Sequence, residues 1–287
     1  MLKRMGMASL VIALCCNSVV FAGDVKVTPD VVYGHKFGLA LTFDVFTPTE
    51  NANGAGVLFM VSGGWFSRWS PPETLKRFYE HLTDKGFTVF AVRHGSSPKF
   101  SIPEAVEDVR RSVRYIRMNA ETFGVDPQRL GVYGASAGGH LSLMLGTASD
   151  EGNPKSKDVV LRVSDRVQAV VAWVAPTDLQ IMVWETPGHL PAYERFPALN
   201  LDLKAAKKHS PLVHVTEDDP PTLLVVGAKD ELVPMKHSQD IQAAFEKANV
   251  TSQLIVLEDA GHGFGGDDRT VADNELVAWF EKHLAAK

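Results

Sequence analysis

Cysteine is almost absent from the chain. The 287 residues include two cysteines, Cys15 and Cys16, and both lie in an apolar stretch near the N-terminus. The sequence that follows therefore has no means of forming a disulfide, a thiol nucleophile or a cysteine metal site. The histidines are scattered, and none has the H-E-x-x-H spacing or a similar metal-binding spacing. We expect no metal site, so any chemistry has to come from other side chains.

An excess of basic residues is missing too. The chain has 29 Lys and Arg residues against 34 Asp and Glu residues, which gives a formal net charge of −5 at pH 7. Nucleic-acid-binding domains usually carry a basic patch, so the composition does not indicate a nucleic-acid partner. No repeat or low-complexity segment is visible. The length and a hydrophobic content of 45% suffice for one large α/β domain or two small ones.

The N-terminus lacks the length of a membrane anchor. Its apolar run, residues 7–20, falls short of the ~20 residues that a membrane-spanning helix needs. Lys3 and Arg4 precede the run, and small residues precede a cut after Ala22. This order predicts a secretory signal peptide over residues 1–22. We therefore expect an exported protein, periplasmic or secreted, with no membrane span after cleavage.

The sequence after residue 22 alternates between strand-like and helix-like apolar patterns. Period-two alternation over 25–47 predicts two or three antiparallel strands. A continuous apolar run over 56–61, typical of a strand buried on both faces of a parallel sheet, comes next. Five further strand-like runs cover 87–92, 130–133, 167–175, 222–226 and 252–257. Helical spacing separates most of these runs, which predicts an α/β fold with a mostly parallel, doubly wound sheet and helices on both faces.

Two segments need separate interpretation. Residues 176–215 are less regular and contain five prolines, so we predict a small cap or long loop within a single domain over 23–287. The helix predicted from about 103 to 123 carries four arginines in two turns. They form either an anion site or, as we expect, a solvent-exposed face. These arginines are Arg110, Arg111, Arg114 and Arg117.

The stretch Gly134-Ala135-Ser136-Ala137-Gly138 matches the pattern G-x-S-x-G. It lies between a predicted strand and an apolar helix pattern, which places Ser136 on a tight strand-to-helix turn, the nucleophile elbow. Small neighbours suit such a strained turn, and the N-terminus of the following helix favours negative charge beside the serine. Ser136 is therefore the candidate nucleophile. The alternative is a serine that only caps the helix.

A serine nucleophile needs a base and a group that orients the base. Asp230 follows the predicted strand 222–226, and His262 follows the strand 252–257. Because the carboxyl ends of parallel strands meet at one sheet edge, both are expected near Ser136. The chain order serine, acid, histidine is the order that follows a nucleophile elbow. The rival acids, each on a loop at the same edge, are Asp178, Asp259 and Glu231.

Acyl transfer also needs N–H donors for a tetrahedral oxyanion. The sequence Ser62-Gly63-Gly64-Trp65 directly follows the first parallel strand. The backbone N–H groups of Gly64, Trp65 and Ala137 are the predicted oxyanion hole. The alternative for the glycine pair is a plain tight turn. The aromatic residues Trp65, Phe66 and Trp69 either stack on a sugar or aryl acyl group or pack against the cap.

These motifs resemble those of secreted serine esterases of the α/β-hydrolase fold. The resemblance is greatest to the bacterial carboxylesterase and feruloyl-esterase-like group, near the hormone-sensitive-lipase type. It rests on SGGW at 62–65, GASAGGH at 134–140, the run from 210 to 234 and DAGHGF at 259–264. It implies hydrolysis of carboxylic esters, of small molecules or carbohydrates, through an acyl-enzyme and without a cofactor. It also implies a structural role for His140, and a histidine where this chain has Ser62.

Other functions use the same elbow and triad. Serine peptidases and amidases, such as arylformamidases, share both, and a non-catalytic binding protein can keep the fold. Such binding proteins usually lose a triad residue, whereas this chain keeps all three candidates, so an enzyme is favoured. The sequence sets neither the acyl group, the alcohol nor the oligomeric state.

Overall fold

The computed structural model describes residues 24–286, so the predicted signal peptide lies outside the described residues. An eight-stranded open sheet organises these residues, in the order β1-β2-β4-β3-β5-β6-β7-β8. The strands are β1 (Val25–Lys36), β2 (Leu39–Pro48), β3 (Gly56–Met60), β4 (Thr88–Val92), β5 (Leu130–Ala135), β6 (Ala169–Trp173), β7 (Thr222–Gly227) and β8 (Ser252–Leu257). The six strands from β3 to β8 pair in parallel, and β1 and β2 add an antiparallel edge. The predicted α/β-hydrolase fold with a mostly parallel sheet is confirmed.

Helices cover both faces of the sheet. They are α1 (Lys76–Thr83), α2 (Ile102–Met118), α3 (Ala120–Phe123), α4 (Ala137–Thr147), α5 (Leu203–Lys208), α6 (Lys236–Lys247) and α7 (Gly266–His283). One apolar core includes buried residues of α2, α4 and α6, and a second includes those of α1 and α7. The central strands contribute side chains to both cores, because successive residues of a strand point to opposite faces. This explains why their sequences read as continuous apolar runs.

Helix α2 shows how the sequence sets an element boundary. The Ser101 backbone N–H donates to the Glu104 carboxylate over 2.9 Å, which forms a capping box at the start of the helix. Strand β5, Leu130–Ala135, ends at the elbow.

None of the helices within residues 24–286 combines the length and the apolar character that crossing a membrane requires.

The four arginines of α2 form neither an anion site nor a solvent-exposed face, so both interpretations were wrong. Arg110 and Arg114 are mostly buried, and both bind the carboxylate of Asp165, whose side chain has no exposed surface. The other two donate to a further aspartate and to backbone carbonyls, most of them within 158–166. These bonds fasten α2 to the loop between α4 and β6. Helical spacing alone did not reveal the partners, because they come from a loop about 40 to 55 residues further along.

The segment between β6 and β7 crosses the carboxyl edge of the sheet. It contains α5 and four short 3₁₀ turns and, apart from these, irregular chain. The turns are Leu179–Ile181, Pro191–Arg195, Pro197–Leu199 and Pro211–His214. Three of them begin with a proline, whose fixed φ suits the first position of a helical turn. The division of the chain into a leader and one domain stays a prediction.

Candidate active site

Ser136 lies at the sharp turn between β5 and α4. Its backbone angles are φ 55° and ψ −123°, a conformation that a residue with a Cβ adopts only under strain. Two backbone bonds hold it there: its N–H donates to the Trp173 carbonyl over 2.8 Å, and its carbonyl accepts from the His140 N–H over 2.9 Å. The predicted elbow geometry is therefore present, and the Ser136 side chain projects from the carboxyl end of the sheet.

The turn demands small residues for a measurable reason. A Cβ built on Gly138 would lie 2.5 Å from the Met60 carbonyl oxygen, which belongs to the neighbouring strand β3. Every residue of α4 is buried, so the helix packs closely over the sheet along its whole length. Glycine at position 138 thus lets the start of α4 approach β3, and this approach fixes the position of Ser136.

The structure brings the three predicted triad residues together. His262 Nε2 lies 2.9 Å from Ser136 Oγ, and His262 Nδ1 lies 2.9 Å from Asp230 Oδ2. The Asp230 side chain has no exposed surface, whereas 27% of the His262 side chain is exposed. The loops after β7 and β8 hold each other, because the Lys229 N–H donates to the Ala260 carbonyl over 2.9 Å. Loop-to-loop contact therefore sets Asp230 beside His262.

The Asp230 carboxylate is oriented by its own loop. Its Oδ1 accepts hydrogen bonds from the Leu232 and Val233 N–H groups over 2.9 and 2.8 Å. This leaves Oδ2 for His262. A hydrogen bond from Nδ1–H to Oδ2 puts the proton of a neutral imidazole on Nδ1, so that Nε2 can accept the serine proton.

The rival acids lie elsewhere. Asp178 accepts from the Gln180 N–H over 2.9 Å and caps a 3₁₀ turn. Asp259 forms an exposed ion pair with Lys229. Glu231 follows Asp230 and is exposed. Among the residues described, only Asp230 is an acid bonded to His262.

The three predicted oxyanion donors flank Ser136. Gly64 and Trp65 line the same pocket as Ser136, and Ala137 follows Ser136 in the chain. None of their three N–H groups donates to an acceptor within residues 24–286. Gly64 has φ +56°, and a Cβ there would lie 2.5 Å from the Phe196 ring, so only glycine fits.

The loop that carries Gly64 and Trp65 is held from two sides. The Trp65 indole N–H donates to His140 Nδ1 over 3.2 Å, and His140 Nε2 lies 2.7 Å from the His209 carbonyl. The imidazole of His140 thus links α4, the oxyanion loop and the segment after α5 by hydrogen bonds. This agrees with the structural role that the resemblance implied. On the other side, Ser62 Oγ lies 2.9 Å from His94 Nε2.

Three buried histidines surround the site without being part of the triad. Burial lowers the pKa of His94, His140 and His237 to about 4, because the charged imidazolium loses its hydration. His237 lies at the start of α6, and its Nδ1 accepts from the Thr177 N–H over 3.2 Å. The three rings are therefore neutral at pH 7.

We expect the folded state to lose stability as the pH falls from about 6.5 to about 4. In this range the unfolded chain binds protons on these histidines and the folded chain does not, so acid favours unfolding. Each histidine contributes a slope of up to about 1.4 kcal/mol per pH unit. Urea unfolding at several pH values measures this slope. His237→Gln should lower the slope, and a slope equal to that of the wild type would contradict the assignment.

A narrow apolar pocket opens beside Ser136. Its volume is about 20 Å³, room for little more than one water molecule. Most of its lining comes from the segment between β6 and β7 and from the loop that carries Asp230. The lining residues are Gly64, Trp65, Ser136, Pro176, Met182, Tyr193, Phe196, Leu199, Leu232 and Val233. The pocket suits a small acyl group next to the serine.

The aromatic residues after Gly64 divide into two kinds. Trp65 is 3% exposed and packs against His140, whereas Phe66 and Trp69 are 49% and 55% exposed. Phe66 also borders a groove between the β1–β2 hairpin and the loop after β4, with Leu39 and Phe100. Packing against the cap thus accounts for neither Phe66 nor Trp69.

Comparison with known families agrees with this geometry. A family model described as BD-FAE matches residues 43–245, which include Ser136, Asp230 and the oxyanion loop. The chain belongs to the BD-FAE family. This confirms the resemblance to α/β-hydrolase esterases that the motifs indicated.

Individual relatives of this BD-FAE protein are ester hydrolases by name. A probable carboxylic ester hydrolase, LipM, of Mycobacterium tuberculosis is 27% identical over 73% of this chain and 49% of its own length. An acetylxylan esterase of Xylanibacter ruminicola is 27% identical over 86% of this chain and 48% of its own. A solved structure, a truncated carbohydrate esterase from gut microbiota, covers 90% of this chain and 96% of its own with a TM-score of 0.73 and 24% identity. The chain spans about half the length of the curated relatives it matches.

Sequence reasoning missed several residues of this BD-FAE site. His94 was not singled out, although it follows β4 at the same sheet edge as the other candidates, and that position was the available signal. Met182 and Phe196 line the pocket but carry no motif. Both residues belong to the irregular segment between β6 and β7, whose sequence has no hydrophobic periodicity from which their positions could be predicted.

Proposed function

We propose that the protein hydrolyses carboxylic esters with small acyl groups through an acyl-enzyme on Ser136. The observation that carries this proposal is the continuous hydrogen-bond path from Asp230 through His262 to Ser136, with both steps at 2.9 Å. A serine hydroxyl is a weak nucleophile at neutral pH, and this path supplies both its base and the group that orients the base.

The proposed reaction has two halves. Ser136 Oγ attacks the ester carbonyl carbon while His262 Nε2 takes the hydroxyl proton. The oxyanion that forms accepts hydrogen bonds from the backbone N–H groups of Gly64, Trp65 and Ala137. The tetrahedral intermediate collapses, and His262 returns the proton to the departing alcohol oxygen. A water molecule, deprotonated by His262, then attacks the acyl-enzyme, and the carboxylic acid leaves as Ser136 regains its proton.

The alcohol part of the substrate is proposed to be carbohydrate-linked. Sugars stack on exposed aromatic rings, and Phe66 and Trp69 expose about half of their surface next to the oxyanion loop. The name of the acetylxylan esterase relative supports the same direction. Export is part of the proposal as well; it rests on the basic and apolar segments within residues 1–22.

The acyl group is tested with a series of p-nitrophenyl esters. We expect kcat/KM to be highest for acetate, lower for butyrate and lowest for octanoate, because the pocket beside Ser136 has room for little more than one water molecule. An acetylated xylo-oligosaccharide, assayed by acetate release, tests the alcohol. Highest activity on octanoate would contradict the small acyl pocket. Inactivity on every ester, with peptides or amides cleaved, would favour the peptidase or amidase alternative.

A further inference from the structure

The oxyanion loop is held by the loop that follows β4. Gly63 and Phe66 exchange two backbone hydrogen bonds of 3.0 Å, so residues 63–66 form one tight turn. The Trp65 carbonyl accepts from the Ser97 N–H over 3.0 Å, at the far side of the turn. At the near side, Ser62 Oγ meets His94 Nε2 over 2.9 Å. The His94 contact therefore lies two residues before the first donor, Gly64.

The direction of the Ser62–His94 hydrogen bond follows from the other ring nitrogen. His94 Nδ1 lies 2.8 Å from the Gly95 carbonyl, which only accepts, so Nδ1 carries the ring proton. Nε2 is then a bare acceptor, and the Ser62 hydroxyl must donate to it. His94 is 5% exposed and lines, with Phe66, the groove between the β1–β2 hairpin and the loop after β4.

The Ser62–His94 contact bears on the histidine that the sequence lacks at position 62. The resemblance implied a histidine at position 62, and the chain has serine there. A serine side chain is too short to brace a loop by itself. Here an imidazole comes from the end of the adjacent strand β4 instead, and its Nε2 lies 2.9 Å from the Ser62 hydroxyl.

We propose that His94 is a positioning residue for ester hydrolysis: through Ser62 it holds the Gly64 and Trp65 N–H groups where the oxyanion forms. The inference rests on the proposed function. His94 does not touch the reacting atoms. Its effect is geometric, because an N–H donor stabilises the oxyanion only when it points at the oxygen of the tetrahedral intermediate.

Two replacements of His94 separate the hydrogen bond from the rest of the ring. In His94→Gln the side-chain oxygen can occupy the place of Nε2 and accept from Ser62. In His94→Asn the side chain ends near the place of Nδ1, and Ser62 loses its acceptor. Ser62→Ala removes the same bond from the other side, and Ser62→Ala/His94→Asn removes both partners.

We expect His94→Asn and Ser62→Ala each to lower kcat on p-nitrophenyl acetate about tenfold, less than full removal of a donor, with little change in KM. The double variant should fall no further than either single one, because both act through one bond. His94→Gln should recover most of the activity. The inhibition constant of a trifluoromethyl ketone, whose serine adduct carries the oxyanion, should rise by the same factor as kcat/KM falls.

The outcomes distinguish the two proposals. A wild-type protein without esterase activity overturns the proposed function. An active wild type with unchanged single variants, with losses that multiply in the double variant, or with a His94→Gln as poor as His94→Asn overturns the role of His94. Thermal unfolding of each variant gives the folded fraction by which kcat is corrected, and a loss that disappears on this correction also overturns it.

Discussion

Replacing Ser136 with alanine is expected to lower kcat on p-nitrophenyl acetate by a factor of about 10⁴ or more. The change removes the Oγ that lies 2.9 Å from His262 Nε2, and with it the acyl-enzyme route. Water and the remaining oxyanion donors still give a small rate, so the residual activity should exceed that of the buffer. Initial rates with enzyme concentrations raised for the variant measure the difference.

A matched serine tests whether the loss is specific. Ser149 lies just past the other end of α4, and its side chain forms no hydrogen bond within the described residues. Ser149→Ala should keep full activity. A fluorophosphonate probe should label the wild type and Ser149→Ala but not Ser136→Ala. Full activity in Ser136→Ala would exclude Ser136 as the nucleophile, and labelling of that variant would show a second reactive serine.

Much of the fold could be read from the sequence because its core strands are buried on both faces. The strand predicted at 222–226 lacks only the last residue of the fully buried β7, and the apolar run at 56–61 extends one residue beyond β3. Continuous apolar runs have few interpretations once helices separate them. Because the carboxyl ends of parallel strands meet at one sheet edge, the strand predictions also placed Ser136, Asp230 and His262 near one another, although 126 residues separate the serine from the histidine.

What the sequence did not reveal depends on contacts between distant loops. The partner of Ser62 is His94, on a different loop, and the arginines of α2 bind acids beyond α4. Contacts between residues so far apart produce neither a hydrophobic period nor a motif in the sequence. The pocket lining has the same origin, because Met182 and Phe196 each directly follow a 3₁₀ turn, in connecting chain whose path is set by packing over the sheet edge.

Asp230→Asn is expected to lower kcat on p-nitrophenyl acetate about 10³- to 10⁴-fold. The size of the effect follows from the way in which the loop holds the side chain. Asp230 Oδ1 accepts from the Leu232 and Val233 N–H groups, so the amide oxygen of an asparagine has to occupy that place. The amide NH₂ then faces His262 Nδ1.

This orientation of the amide changes the tautomer of the His262 imidazole. With a donor opposite Nδ1, the ring proton moves to Nε2, which then donates to Ser136 instead of accepting its proton. The variant keeps its shape and loses its base. Initial rates of p-nitrophenyl acetate hydrolysis between pH 6 and 10, together with the thermal unfolding midpoint, separate this effect from unfolding.

Two matched variants test the assignment of the acid. Asp178→Asn alters the cap of the 3₁₀ turn that follows β6, and Asp259→Asn breaks an exposed ion pair with Lys229. Neither carboxylate bonds to His262, so both variants should hydrolyse p-nitrophenyl acetate nearly as fast as the wild type. If Asp178→Asn lost activity on the scale expected for Asp230→Asn while Asp230→Asn kept it, the acid that orients His262 during turnover would be Asp178. The loop after β6 would then have to replace the loop after β7 beside the imidazole, a rearrangement that would break the bond between Asp230 Oδ2 and His262 Nδ1.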